Sequence, residues 1–183
     1  VGGYSLPRGK GQREFLQAAA KVARELPQAR FLIVGRGNMK EVLQADIARL
    51  GLGKVAWLTP YCQDMPAAMN ALDCLVLPQV GTEAIPGVVC EAHACGKPVI
   101  ASDLDGIPEA FAVAGYGALV KPGAIGELAA AMAEWGRRPA LGLAARQELH
   151  QKVAERFSLE RAAQDLAALY RLLLQGGSAT PQA

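Results

Sequence analysis

The chain has 183 residues, 51% of them hydrophobic and 5% aromatic, with 19 Lys and Arg against 17 Asp and Glu. That length suits one ordinary domain, and that apolar content excludes a disordered chain. A formal charge of +2 without a basic cluster excludes an electrostatic nucleic-acid binder. No apolar run approaches the roughly 20 residues that span a bilayer.

Residues 1–5 read as a short strand, followed by a turn over residues 6–11. Phe15, Leu16, Ala19, Val22, Ala23 and Leu26 recur at helical spacing, which predicts a helix over 12–25 ended by Pro27. The apolar run 29–34, closed by Gly35, reads as a buried strand. Residues 39–50 are helical and stop at Gly51 and Gly53. A third strand over 55–58 and a short helix over 66–72 follow. The fourth strand, 74–77, enters a loop rich in turn residues. Pro86 stands where the next helix would open, a position that suits a residue lacking an N–H. That helix runs to Ala94 and stops at Gly96. Strands over 98–101 and 118–120 bring the total to six. From Ala124 the pattern is helical, interrupted at 136–139 and at Phe157-Ser158, with Ser158 as N-cap of a last helix over 159–174. The polar segment 176–183 is expected to be a disordered tail.

Short apolar strands alternating with helices imply a Rossmann-like, doubly wound parallel sheet of about six strands, helices on both faces, with C-terminal helices appended. One domain over 1–175 accounts for the whole pattern. Right-handed crossovers put every strand-to-helix loop on one edge, where ligands of such sheets bind. The glycine-rich loops all fall there.

Three of these loops carry chemistry. Gly35-Arg36-Gly37 joins a strand to a helix. A dinucleotide fingerprint would need glycine at Lys40 and an acidic end to the next strand, where Thr59 and Pro60 stand. It reads instead as a tight turn, either purely structural or bringing amides to a phosphate or base. Lys10, with Arg8 beside it, precedes a helix; a cation next to free helix N–H groups suits a diphosphate, whereas a lone loop lysine is ordinarily solvated. The strongest segment runs from Glu83 through Pro86, Gly87 and Val88 to Glu91. It sets one carboxylate in a loop and one a turn into a helix, with helix amides between them. Taken alone, it reads rather as an exposed acid followed by a helix-stabilising glutamate.

The four cysteines, Cys62, Cys74, Cys90 and Cys95, form no CxxC pair and read as reduced core thiols of a cytosolic protein. His93 is read as a packed histidine and His150 as a surface residue. The start at Val1, without methionine or a basic leader, reads as the beginning of a fragment cut from a longer polypeptide.

The segment E-A-I-P-G-V-V-C-E-A-H-A-C-G-K-P-V-I-A-S-D-L-D-G-I-P-E, from Glu83 to Glu109, resembles the signature of the retaining glycosyltransferases of the GT-B fold, family 4 or group 1. The family's common pattern is E-G-x-P/G-x-V-x-x-E-A-M-A-C-G-K-P-V-I-A-S-D-x-G-G-I-P-E. K-G-Q-R-E-F-L-Q-A-A from Lys10, F-L-I-V-G-R-G from Phe31 and D-M-P-A-A-M-N-A-L-D-C-L-V-L-P from Asp64 match in order, as does G-Y-G-A-L-V-K-P from Gly115. The likeness covers about residues 1–135.

The resemblance implies a C-terminal domain that binds a nucleotide-diphosphate sugar, the acceptor being bound by a missing N-terminal domain. It makes Lys10 and Glu83 the candidate catalytic residues, Lys10 on the diphosphate and Glu83 on hydroxyls of the transferred sugar. Glu91 would hold the ribose hydroxyls, and amides near Gly87 and Val88 the diphosphate. Gly35, Gly37 and Tyr61 would flank the base. No metal and no cofactor are called for, the nucleotide sugar being substrate, and Asp103-Leu104-Asp105 is read as a turn. The family's usual arginine five residues before the lysine is Ser5 here, with Arg8 as the candidate replacement. Ala84 and His93 replace the usual glycine and methionine. Transfer with retention, a cytoplasmic location with or without peripheral attachment to the inner membrane face, and a bacterial source complete the expectation. The fragment alone is expected to be inactive. The competing readings are a non-catalytic nucleotide-binding module and a nucleotide-sugar epimerase-like domain.

Overall fold

The computed structural model describes residues 9–175, so the strand expected over 1–5, with Ser5, Arg8 and the tail 176–183, lies outside the described residues. Within them β1 (Phe31–Val34), β2 (Ala56–Thr59), β3 (Leu75–Leu77), β4 (Val99–Ser102) and β5 (Gly117–Val120) alternate with helices. All pairings are parallel, as expected, but they form two sheets, β1-β2 and β3-β4-β5. The five described strands are the five expected beyond residue 8, and the sixth, expected over 1–5, lies outside the described residues. A groove of about 310 Å³ is lined by Phe31 and Leu32 of β1 and by Leu75 and Val76 of β3.

The central strands β3 and β4 are buried on both faces. Val76 of β3 and Ile100 of β4 join a cluster with Phe15, Leu16, Leu43, Leu128 and Trp135. Their neighbours Leu75, Leu77, Val99 and Ala101 point the other way and pack on Val89, Ala92, Ile107 and Ala110. Alternate side chains entering two cores is what a doubly wound sheet requires. Each fully buried Leu or Ile contributes about 1.5–3 kcal/mol of transfer free energy.

Helix α1 (Gln12–Glu25) has the expected bounds, and its buried stripe of Phe15, Leu16, Ala18, Ala19 and Val22 packs on α6 (Ile125–Gly136). Helix α2 (Lys40–Arg49) is tied to α1 through Asp46, whose buried carboxylate accepts from Arg13 at 2.8 Å and Arg49 at 2.7 Å. Burial pushes this carboxyl up, but the Arg49 and Arg13 hydrogen bonds outweigh it and hold it below the usual range. Helix α3 (Met65–Asn70) opens on Asp64, which caps the Ala67 amide at 2.9 Å.

Helix α4 (Gly87–Ala94) starts after Pro86, as the missing N–H suggested. Helix α5 (Ile107–Ala112), not expected from the sequence, is a six-residue turn of helix with Pro108 in its first turn. Helix α7 (Leu143–Phe157) braces α4 from behind: Arg146 donates to Asn70 Oδ1 at 2.7 Å and to the Cys95 carbonyl at 3.4 Å. Ser158 accepts from the Arg161 amide at 3.2 Å and opens α8 (Leu159–Leu174). No residue of α8 is buried, and Leu166, Leu169, Tyr170 and Leu173 face solvent. Among the described residues, no helix is long and apolar enough to cross a membrane.

The four thiols are free and half-buried; Cys74, Cys90 and Cys95 pack against the core clusters, as expected, whereas Cys62 lies in the loop after β2. The first three sit at element ends or on helix flanks rather than on the inward faces of strands. Burial still pushes the Cys74 thiol up to about 11, with Asp73 adding to it, so it stays protonated and inert at neutral pH.

Candidate functional site

The loops after β1, β2, β3 and β4 lie on one edge because every strand is parallel. Gly11 determines how α1 meets that edge. It takes φ 73°, and a side chain there would place Cβ 1.7 Å from the Pro78 carbonyl oxygen. Only glycine lets the start of α1 sit against the end of β3. The consequence is a contact between residues 73 apart: Lys10 Nζ lies 3.2 Å from Glu83 Oε2. The lysine side chain is 44% exposed and the glutamate 19%. The ammonium can thus reach an incoming anion without leaving a deeply buried carboxylate behind.

Glu83 enters the loop ahead of α4. Its amide donates to Asp105 Oδ2 at 3.0 Å, and its carbonyl accepts from the Gly106 amide at 3.4 Å. The first turn of α4 has no side-chain cap, which leaves the N–H groups of Gly87 and Val88 for a ligand or water. Glu91 lies on the same helix face as Gly87, with Oε1 3.7 Å from where a Gly87 Cβ would stand. Its exposed carboxylate therefore rests beside that open turn.

On the other sheet, the Gly35 amide continues the β1-β2 ladder by donating to the Thr59 carbonyl at 3.1 Å. Gly37 is exposed in the following loop. Arg36 places its guanidinium carbon 5.7 Å from the ring centroid of Tyr61, itself 53% exposed. The structure thus brings Lys10 to Glu83 and Glu91 to Gly87, and joins the turn at Gly35 to the segment at Tyr61. Arg8 lies outside the described residues. Two residues not singled out from the sequence enter the site. Arg36 does so by stacking on Tyr61. Asp105 does so by holding the Glu83 amide; the signal was an aspartate where the family pattern has glycine.

His93 is packed, as read from the sequence: it is fully buried, edge-on to Phe111, with Nε2 3.0 Å from the Tyr116 carbonyl. The carbonyl can only accept, so Nε2 carries the proton. Burial lowers the imidazole pKa below its ordinary 6.5, against the raising effect of the Tyr116 bond. A depressed folded-state pKa means that His93 contributes stability above the unfolded value and loses it as pH falls through the folded one. In His93→Met, Tyr116 keeps its bond from the Val99 amide. We expect the urea midpoint of the native chain to drop more steeply than that of this variant between about pH 7 and about pH 5.5. Parallel pH slopes would refute the assignment. His150, exposed as expected, meets the Ala94 carbonyl at 3.1 Å.

The family model described as glycosyl transferases group 1 matches residues 1–137. The chain belongs to the group 1 glycosyltransferase family. It is 34% identical over 182 residues to D-inositol 3-phosphate glycosyltransferase of Segniliparus rotundus, covering 94% of this chain and 39% of that one. The crystal structure of Anabaena Alr3699/HepE in complex with UDP and glucose superposes with a TM-score of 0.77 at 25% identity, over 93% of this chain and 48% of that one. The C-terminal domain of a glycosyl transferase group 1 family protein (LpcC) from Francisella tularensis shares the fold at a TM-score of 0.64 and 21% identity, over 84% of this chain and 81% of that one. This group 1 chain therefore spans less than half the length of the first two relatives. The GT-B fold assignment stands, and every candidate site residue lies inside the matched segment.

Proposed function

We propose that this chain is the donor-binding half of a glycosyltransferase that moves a sugar from a nucleotide diphosphate to an acceptor with retention. The reading rests on one observation: the Lys10–Glu83 pair, at 3.2 Å, stands on the edge that carries the uncapped start of α4 and the Glu91 carboxylate. A diphosphate binds where a cation and free helix amides converge, and carboxylates accept from sugar hydroxyls.

In this scheme Glu91 accepts from the two ribose hydroxyls and Glu83 from hydroxyls of the transferred sugar. The amides of Gly87 and Val88 hold the diphosphate. As the anomeric bond breaks, negative charge grows on the departing diphosphate, and Lys10 exchanges its contact with Glu83 for that charge. The base lies against the Gly35–Gly37 turn and Tyr61. The acceptor half is assigned to the part of the longer relatives that this chain does not span. The likeness to an isolated C-terminal domain supports that division. The 183 residues alone bind donor and transfer nothing.

Calorimetric titration with UDP, GDP and ADP tests the reading. One of the three will bind the chain, and Glu91→Ala will weaken it by at least about tenfold, since each hydrogen bond to a charged acceptor contributes about 1.5–3 kcal/mol. Absence of binding by all three, or equal binding by the variant, would defeat the proposal. The anomeric configuration of the full-length enzyme's product, read by NMR, tests retention. A nucleotide-binding module without transfer activity is the second reading, favoured by Ser5 in place of the pattern's arginine. Donor turnover by the full-length protein separates the two. The family match stands against the epimerase-like reading.

A further inference from the structure

The turn between β4 and α5 has an unusual residue at its centre. Asp105 takes φ 48°, the single positive φ of a non-glycine among the described residues. The family pattern places a glycine there, which adopts such a backbone at no steric cost. Aspartate tolerates the left-handed region but gains from it only when its carboxylate finds a donor nearby.

That donor is the Glu83 amide, 3.0 Å from Asp105 Oδ2. The next residue, Gly106, donates to the Glu83 carbonyl at 3.4 Å. It must be glycine for this approach, because a Cβ there would lie 2.0 Å from the Ala84 carbonyl oxygen. The turn thus holds Glu83 by its N–H and its carbonyl, while the side chain reaches Lys10. Glu83 has no helix or strand of its own to fix it, since it stands in the loop between β3 and α4. Its carboxylate position is set by what holds its backbone.

We propose that Asp105 is a positioning residue for Glu83: it clamps the Glu83 backbone so that the carboxylate is ready for the sugar of the donor. The inference rests on the donor reading above. It separates two parts of the ligand, because Asp105 acts through the sugar-facing glutamate and not on the groups assigned to the nucleotide. Glycine at this position would fit the turn but would leave the Glu83 amide to water. Asparagine would keep both the backbone conformation and an acceptor oxygen.

The test uses Asp105→Gly and Asp105→Asn in this chain, with two readouts. The first is hydrogen exchange of the Glu83 amide by NMR. It will quicken about tenfold in Asp105→Gly and stay near the native rate in Asp105→Asn, as expected for loss and retention of a hydrogen bond to a charged acceptor. The second is calorimetric affinity for the pairs UDP and UDP-glucose, GDP and GDP-mannose, and ADP and ADP-glucose. Asp105→Gly will weaken the sugar conjugate of the bound nucleotide by about tenfold and leave the bare diphosphate unchanged, while Asp105→Asn restores the conjugate. An unchanged Glu83 exchange rate overturns the clamp. Equal weakening of conjugate and diphosphate, or weakening of neither, overturns the positioning role. A native chain that binds none of the six overturns the donor reading and this role with it; the exchange data tell that failure apart from failure of the clamp.

Discussion

Replacing Lys10 with alanine in the full-length enzyme will lower kcat by about two to three orders of magnitude, the usual cost of removing one group that meets developing negative charge. The fold will not pay for it. The Lys10 side chain is 44% exposed, and an ion pair so open to water contributes about 0–1 kcal/mol to stability. In the proposed mechanism its ammonium matters only once an anion arrives, and most once the glycosidic bond has begun to break. The loss will therefore fall more on kcat than on KM. Lys10→Arg keeps the charge but spreads it over a planar fork, and will recover part of the rate. Steady-state kinetics at saturating donor, paired with thermal melts, check this. A drop in kcat below tenfold, or a melting point that falls along with it, would remove Lys10 from the chemistry.

The second large effect is structural and sits one residue away. Gly11→Ala puts a methyl group 1.7 Å from the Pro78 oxygen, 2.5 Å from its carbon and 2.9 Å from its Cγ, at φ 73°. The left-handed backbone alone costs an alanine about 1–2 kcal/mol. Relieving the overlap means moving the backbone of α1 or of the segment after β3, which adds about 1–3 kcal/mol. Out of a total stability of about 5–15 kcal/mol, the sum is a large fraction. In urea, the midpoint of Gly11→Ala will fall by about a third at unchanged slope. A midpoint near the native one would show that α1 and β3 do not meet as described. Because Gly11 follows Lys10, the same variant will also pull the lysine off Glu83 and weaken nucleotide binding.

How much of this was legible without coordinates depends on the range of the interactions. Helix α1 was readable to its ends because its stripe of Phe15, Leu16, Ala19 and Val22 is local and Pro27 ends it. The strands were readable as apolar runs between turn residues, and the parallel order placed the glycine-rich loops on one edge. Helix α5 was missed because six residues with a proline in the first turn carry no periodicity to detect. The lateral order of the strands was not readable either, since no local pattern says which strands are neighbours. The site divides in the same way. The spacing of Glu83 and Glu91 is local and was visible. The meeting of Lys10 with Glu83 depends on Gly11 fitting against Pro78, which is a tertiary fact. Asp103-Leu104-Asp105 reads as a turn from the sequence alone, but a turn gives no hint of which amide its carboxylate will reach.

Under the proposed donor reading, the approach of Arg36 to the Tyr61 ring bears on which nucleotide the titration will select. A guanidinium over an aromatic ring offers a flat, polarisable surface, and every nucleobase has a face that can lie against one. Such a platform adds grip without choice. Purine and pyrimidine alike would rest on it, so discrimination among uracil, guanine and adenine has to be made at the rim of the ring. There the edge pattern of donors and acceptors differs from base to base.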